Sequence, residues 1–538
     1  MKKRLIIFLS IVLVGIFAVS CAKTKKLIDD ASAKAKAELK KAPRVPLSEI
    51  NSEETSIYLV KKPDERLKNR ETYFAHEFEH LNKRRSDFFF NSAKLMNEKP
   101  PKIFSLGLSG GGIRSNAFQL GVLSGLNAKK LDLGTYLQRV DYISSVSGGS
   151  WANGAYWSNN STDSEFFGCL DSVVEKTASE KCKKYGAVLR TIQAQAVERK
   201  LWLDEIVDKS LLGNDIFFSD YLNPENTEKY KYTAKKPYPI INITHSAVLY
   251  EKPNVKNHPF EMTPHTTGTI VDCGSGDKFC DTKQKAPLML HYSKNMPTGF
   301  FVKNDSKNIK IVHSEILNET YTEISDNDKA GDSLGKALAT SSAVVGPALG
   351  LNYNFKVGNK YVDEIRETYY LTDGGKSENL GFIPLIERGS DVIVISQIGY
   401  DPDPKFGNFQ KSTQQIKKLF GREIDAEAIT SKKKKVELVS QTKYSYNDKK
   451  EGDIFLIKPT HYNIDEFKQY LEANSDKYSH ILKALKTDEK EISTKKERFP
   501  QTPTMKPNYD ENLIFAYYLM GKYIAENKLT TKLEPLLK

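Results

Sequence analysis

Val140-Asp141-Tyr142-Ile143-Ser144-Ser145-Val146-Ser147-Gly148-Gly149-Ser150-Trp151 reads as an apolar strand that stops at a serine and passes through two glycines into a helix. A serine on so tight a strand-to-helix turn tolerates only small neighbours, and its hydroxyl is pushed out over the sheet edge. The usual form of this nucleophile elbow is G-x-S-x-G. Here Ser145 stands in the place of the first glycine and Gly149 in that of the second.

Working outward, the chain alternates. Apolar strand-like runs fall at 103–108, 140–146, 240–243, 369–372, 392–398 and 454–458, and helical patterns at 115–130, 185–212, 464–487 and 511–528. Strands alternating with helices predict an α/β fold, a mainly parallel sheet between helical layers. The strand before the elbow runs into Ser109-Gly110-Gly111-Gly112-Ile113-Arg114-Ser115 and then a helix. Glycines at a helix N-terminus offer unpaired N–H groups and the positive end of the helix dipole. A P-loop would need Gly-Lys-Ser/Thr where Ile113-Arg114-Ser115 stands, and a dinucleotide fingerprint would need a third glycine where Ser115 stands. What remains is either an oxyanion hole or a plain glycine turn.

The pair LSGGGIRS … SVSGGSW, residues 108–115 and 145–151, resembles the patatin-like phospholipases and, more distantly, the catalytic domain of the cytosolic phospholipase A group. Leu371-Thr372-Asp373-Gly374-Gly375-Lys376-Ser377-Glu378-Asn379-Leu380-Gly381 is similar to that family's stretch around its Asp-Gly-Gly turn, Phe260-Glu261-Met262-Thr263-Pro264 to another of its segments, and Ala339-Thr340-Ser341-Ser342-Ala343 with Pro347 to its small-residue helix. The resemblance covers residues 103–399. It implies a three-layer α/β/α fold and a lipid acyl ester hydrolase of phospholipase A or lysophospholipase type. Ser147 would be the nucleophile and Asp373 its base. Gly110, Gly111, Gly112 and Gly148 would form the oxyanion hole, and Arg114 would meet phosphate or stabilise the loop. It implies no cofactor and no metal. Both Ser147 and Asp373 follow strands, so a parallel sheet would place both at carboxyl ends. A free aspartic acid titrates near about 3.9, too low for an efficient base at neutral pH, so its site should be desolvated.

Three other readings compete. A Ser–His–Asp triad would draw on His461 or His480, the histidines that follow the acid. His76-Glu77-Phe78-Glu79-His80 satisfies the zincin pattern H-E-x-x-H, although a helical wheel puts both histidines opposite Phe74, Phe78 and Leu81, on a wet face. The third is a non-catalytic envelope lipoprotein that keeps the fold to bind lipid.

The bulk composition is that of a globular protein. Of 538 residues, 39% are hydrophobic and 28% charged, and the net charge is +12. Lysines are scattered through nearly every segment and no arginine-rich patch or zinc-finger spacing appears, which predicts a solvated surface and no nucleic-acid partner. Met1-Lys2-Lys3-Arg4, the apolar run Leu5–Val19 and Ala18-Val19-Ser20-Cys21 have the anatomy of a secretory signal ending on a cysteine. That ending resembles a bacterial lipobox and predicts a lipidated Cys21 in the cell envelope, periplasmic or surface-exposed. The other four cysteines form an even set whose spacings predict local disulfides, Cys169–Cys182 and Cys273–Cys280. The expected organisation is a signal peptide (1–20), a Lys/Ala-rich tether (21–50), a helical segment (51–100), the catalytic core (101–400) and a C-terminal α/β extension packed on it (401–538).

Overall fold

The computed structural model describes residues 75–89, 102–190, 232–246, 257–264, 266–269, 280–281, 286–287, 289–291, 303–305, 308–310, 334–342, 353–359, 362–401, 403–431, 437–447, 449–494, 497–503 and 509–537. In chain order the elements that build the site are α1 (Ala75–Phe89), β1 (Phe104–Leu108), α2 (Gly112–Ala128), β2 (Tyr142–Val146), α3 (Gly148–Ser158), β3 (Tyr238–Ser246), β4 (Asn257–Met262), α4 (Leu334–Ser341), β5 (Val362–Asp373), β6 (Val392–Ser396), α5 (Gly407–Phe420), β7 (Val439–Tyr446), β8 (Lys449–Ile457) and α6 (Glu511–Ile524).

Among the described residues these strands belong to one twelve-stranded sheet. Its centre, in the order β8-β6-β1-β2-β3, is parallel. Such strands are buried on both faces and read as continuous apolar runs, as Val392-Ile393-Val394-Ile395 does. Side chains alternate across the pleat. Phe104, Leu106, Val392 and Val394 point to the layer of Phe118, Trp151 and Tyr517, while Ile393, Ile395, Ile454 and Leu456 point to Leu81, Phe409 and Ile416. Helices thus cover both faces, which is the three-layer α/β/α arrangement. Both wings of the sheet are antiparallel: β7 pairs with β8 on one side, and β4 and β5 with β3 on the other.

The segment after residue 400 shares this core. β8 completes the parallel centre, and α6 lies against α2 at backbone distance. A Cβ on Gly121 would run into the Tyr518 carbonyl, and one on Gly125 would come 2.5 Å from that of Lys522. Glycine permits that approach because it has no side chain to fend off the other helix.

On the opposite face α1 is tied down by charge. Arg388, fully buried, donates to both oxygens of Glu77 at 2.7 and 2.8 Å and to both of Glu261 at 2.9 and 3.1 Å. Arg85 forks onto Asp141 at 2.9 and 2.7 Å. This corrects the wet-face reading of the H-E-x-x-H stretch. Glu77, which a zincin would use as its base, is fully buried and held by a guanidinium, and His80 is half-buried, edge-on to Tyr238. His76's side chain lies outside the described residues, as do Cys21, Cys273 and Pro347. A disulfide joins Cys169 to Cys182, and Cys280 stands in the strand Cys280–Asp281.

Candidate active site

Two helices begin side by side above the parallel centre. β1 leads through Ser109–Gly111 into α2, and β2 leads through Ser147 into α3. Ser147 has φ 51° and ψ −123°. A non-glycine residue at positive φ costs on the order of 1–3 kcal/mol and persists only where its surroundings over-determine it. Here they do. The Ser147 N–H donates to Ser341 Oγ at 2.9 Å, and that hydroxyl in turn donates to the Asn242 carbonyl at 2.5 Å. A Cβ on Gly148 would strike the Gly112 backbone, and one on Gly149 would stand 2.7 Å from the Ser109 carbonyl. The two glycines of the motif let the elbow sit directly on the glycine loop.

Asp373 arrives by an unexpected route. β2 pairs along β3 as far as Val146↔Asn242, and β5 takes over the same edge from the other direction, ending at Asp373↔Ile243. The strand carrying Asp373 is therefore antiparallel to β3 and meets the end of β2 head-on, which corrects the expectation of two parallel strand ends. The result is contact: Ser147 Oγ donates to Asp373 Oδ2 at 2.9 Å, and the Gly375 N–H donates to Oδ1 at 2.7 Å. Burial pushes the Asp373 carboxyl up to about 6, against the opposing pull of the Gly375 and Ser147 hydrogen bonds and of Lys376. A carboxylate with that affinity for protons can act as a base near neutrality. If Asp373 takes the serine proton, kcat/KM for an ester should fall on acidification with a midpoint near pH 6, where the carboxylate becomes protonated. A profile flat down to pH 4.5 would contradict that assignment.

Gly111, Gly112 and Gly148 occupy the N-cap or first position of α2 and α3. Their N–H groups have no partner within the helix, and two dipoles converge there. Gly110 differs: its N–H donates to the Asn379 carbonyl at 3.0 Å, which removes it from the oxyanion set. Arg114 stands where it can stabilise the loop, one of its two expected roles, and not where it would meet phosphate. It has no exposed surface, and its guanidinium donates to the Thr502 carbonyl behind the loop, near Tyr509 and Tyr517. It anchors α2 to the C-terminal segment and does not face an incoming phosphate. Neither histidine of the alternative triad touches the pair: His480 bonds the Val174 carbonyl at 2.9 Å, and His461 lies on Tyr462.

Three further residues shape the site. Ser341 holds the elbow, and the Asn242 amide binds Ser144 Oγ at 2.8 Å and the Ser145 carbonyl at 3.0 Å. Asn379 supplies the carbonyl under Gly110. Ser341 and Asn379 stand in stretches whose family likeness was legible, but only the fold shows what they touch.

A family model described as "Patatin-like phospholipase" matches residues 106–386. A protein of Schizosaccharomyces pombe, "Probable lysophospholipase 3", is 27% identical over 348 residues, 57% of this chain and 51% of the relative. The chain's match thus spans about half the length of that curated relative. Among solved structures, "Human GIVD cytosolic phospholipase A2" is similar in fold, with a TM-score of 0.51 at 13% identity, covering 87% of this chain and 64% of that one. With the family pattern matched over more than half of its length, the elbow and the Asp-Gly-Gly turn both inside the match, this chain belongs to the patatin-like phospholipase family.

Proposed function

We propose that this protein is a serine-dependent lipid acyl hydrolase that cleaves carboxylic esters of phospholipids or lysophospholipids through a Ser147–Asp373 dyad. The observation that carries the reading is the 2.9 Å hydrogen bond from Ser147 Oγ to a carboxylate whose burial raises its proton affinity. In the first half-reaction Ser147 Oγ attacks the ester carbonyl carbon as its proton passes to Asp373 Oδ2. The carbonyl oxygen becomes negative beside the N–H groups of Gly111, Gly112 and Gly148. Collapse expels the lysolipid or glycerol oxygen, which takes the proton from Asp373, and leaves an acyl-serine. Asp373 then draws a proton from water as the water oxygen attacks the acyl carbon; collapse breaks the bond from that carbon to Ser147 Oγ, which takes the proton back from Asp373, and the fatty acid leaves. Every proton is accounted for by these two side chains and water. A lipid-binding role without catalysis is opposed by the intact dyad.

The test is fatty-acid release from a panel of diacyl phospholipids, lysophospholipids and neutral glycerides. Release from at least one phospholipid class, absent with Ser147→Ala, is expected. No release from any of them would leave lipid binding as the better reading.

We infer further that Cys21 is diacylated and holds the protein to a membrane of the bacterial cell envelope, the Lys/Ala-rich tether spacing the enzyme from it. The basic start, apolar run and small residues ending on Cys21 support this. Two chains are needed because one acyl chain binds only marginally. Among the described residues no helix is long and apolar enough to cross a membrane. Cys21→Ala should move the protein from the carbonate-washed membrane pellet to the soluble fraction; unchanged pelleting would refute the anchor.

A further inference from the structure

Asn379 lies where three loops of the site meet. Its main-chain carbonyl takes the Gly110 N–H, and its carboxamide is ringed by backbone that carries no side chains. A Cβ on Gly110 would run into Asn379 Oδ1; one on Gly375 would stand 2.6 Å from the same oxygen, and one on Gly399 3.3 Å from Nδ2. The first of those points is also 3.2 Å from Ser147 Cβ, and the second is 3.0 Å from Asp373 Oδ1. The carboxamide oxygen therefore stands beside both members of the dyad and Nδ2 toward Gly399, in space that three glycines keep open.

Its neighbours in sequence are fully engaged. Ser377 bonds Thr244, and the Glu378 carboxylate accepts from Ser412 Oγ and from the N–H groups of Leu380 and Phe382. The half-buried Asn379 side chain makes no hydrogen bond among the described residues. A carboxamide carries two N–H donors and an acceptor. Its terminal torsion is broad and roughly two-fold, so either end can be presented to a bound group.

We propose that Asn379 is a catalytic residue: its side-chain amide donates an N–H to the ester carbonyl oxygen as that oxygen becomes negative, restoring to the oxyanion site the donor withdrawn at Gly110. This deepens the proposed hydrolase reading and rests on it. Side-chain amides serve in such holes, and loss of one donor lowers kcat by about 10²–10³-fold.

The test uses the full chain and its Asn379→Ala and Asn379→Asp variants, with a soluble lysophospholipid as substrate and an acyl trifluoromethyl ketone as a mimic of the tetrahedral state. Both variants should lower kcat by about 10²-fold or more with KM within a few-fold, and weaken the ketone by a similar factor. In Asn379→Ala the acid limb of the pH profile should keep its midpoint, because the base is untouched. A kcat within three-fold of wild type in either variant would overturn the inference. So would a lowered kcat with undiminished ketone affinity, which would make Asn379 a support for Asp373. Asn379→Asp, which keeps the side chain's shape, decides the matter if thermal unfolding shows Asn379→Ala to be destabilised. If Ser147→Ala retains activity, the hydrolase reading itself falls; if it is inactive while Asn379→Ala is unimpaired, only this inference does.

Discussion

Ser147→Ala and Asp373→Asn should each lower ester hydrolysis by roughly 10⁴–10⁶-fold, and the double change should cost little more than either alone. Non-additivity follows from the geometry. The hydroxyl and the carboxylate share one hydrogen bond, so removing either abolishes the same proton transfer. The two single changes should nonetheless differ in stability. Burial raises the Asp373 pKa in the folded state from its ordinary value of 3.8 to about 6. Between those values the folded protein holds a proton that the unfolded chain has released, so stability declines as pH rises through this window. Near pH 8 the ionised carboxylate then costs up to about 3 kcal/mol. Asp373→Asn should remove that cost, giving a protein that is more stable than wild type at pH 8 and indistinguishable from it near pH 4. Urea titrations at the two pH values measure this directly. A variant less stable than wild type at pH 8 would show that the raised carboxyl pKa has been misassigned.

Arg388→Ala should be the most damaging single change away from the dyad. The guanidinium makes four hydrogen bonds to Glu77 and Glu261, and all three side chains are buried. Its loss leaves two carboxylates facing one another without a counter-charge. Breaking a buried ion pair by removing one partner costs on the order of 3–5 kcal/mol. The urea midpoint should fall accordingly, with α1 released from the sheet. Glu77→Gln should be milder, since Arg388 keeps Glu261 and an amide oxygen to bond. An Arg388→Ala protein with an unchanged midpoint would contradict the role assigned to this cluster.

The parallel centre of the sheet was legible because strands buried on both faces read as apolar runs, as at Val392–Ile395. The antiparallel hairpin of β7 and β8 was half missed. Val439–Tyr446 is a mixed polar strand with one face toward water, and it carries no unbroken apolar run. Helix α5 escaped notice because its apolar stripe, Phe409, Ile416 and Phe420, is sparse within a polar sequence. At the site, the glycine turns marked the positions of Ser147 and Asp373 because close backbone approach excludes a Cβ, and that constraint leaves a trace in sequence. Hydrogen bonds between distant segments leave none. The Gly110 N–H spent on Asn379, the Ser341 hydroxyl under the elbow and the burial of Arg114 against Thr502 depend on how the chain returns to itself.

Covalent capture shows whether Ser147 is the nucleophile. The protein is incubated with an alkyl fluorophosphonate, digested, and the modified peptide identified by mass spectrometry. A single phosphonylated site is expected, at Ser147, formed in step with loss of hydrolysis, absent in Ser147→Ala and greatly slowed in Asp373→Asn. A protein that hydrolyses phospholipid yet carries the adduct on another residue, or on none, would contradict it.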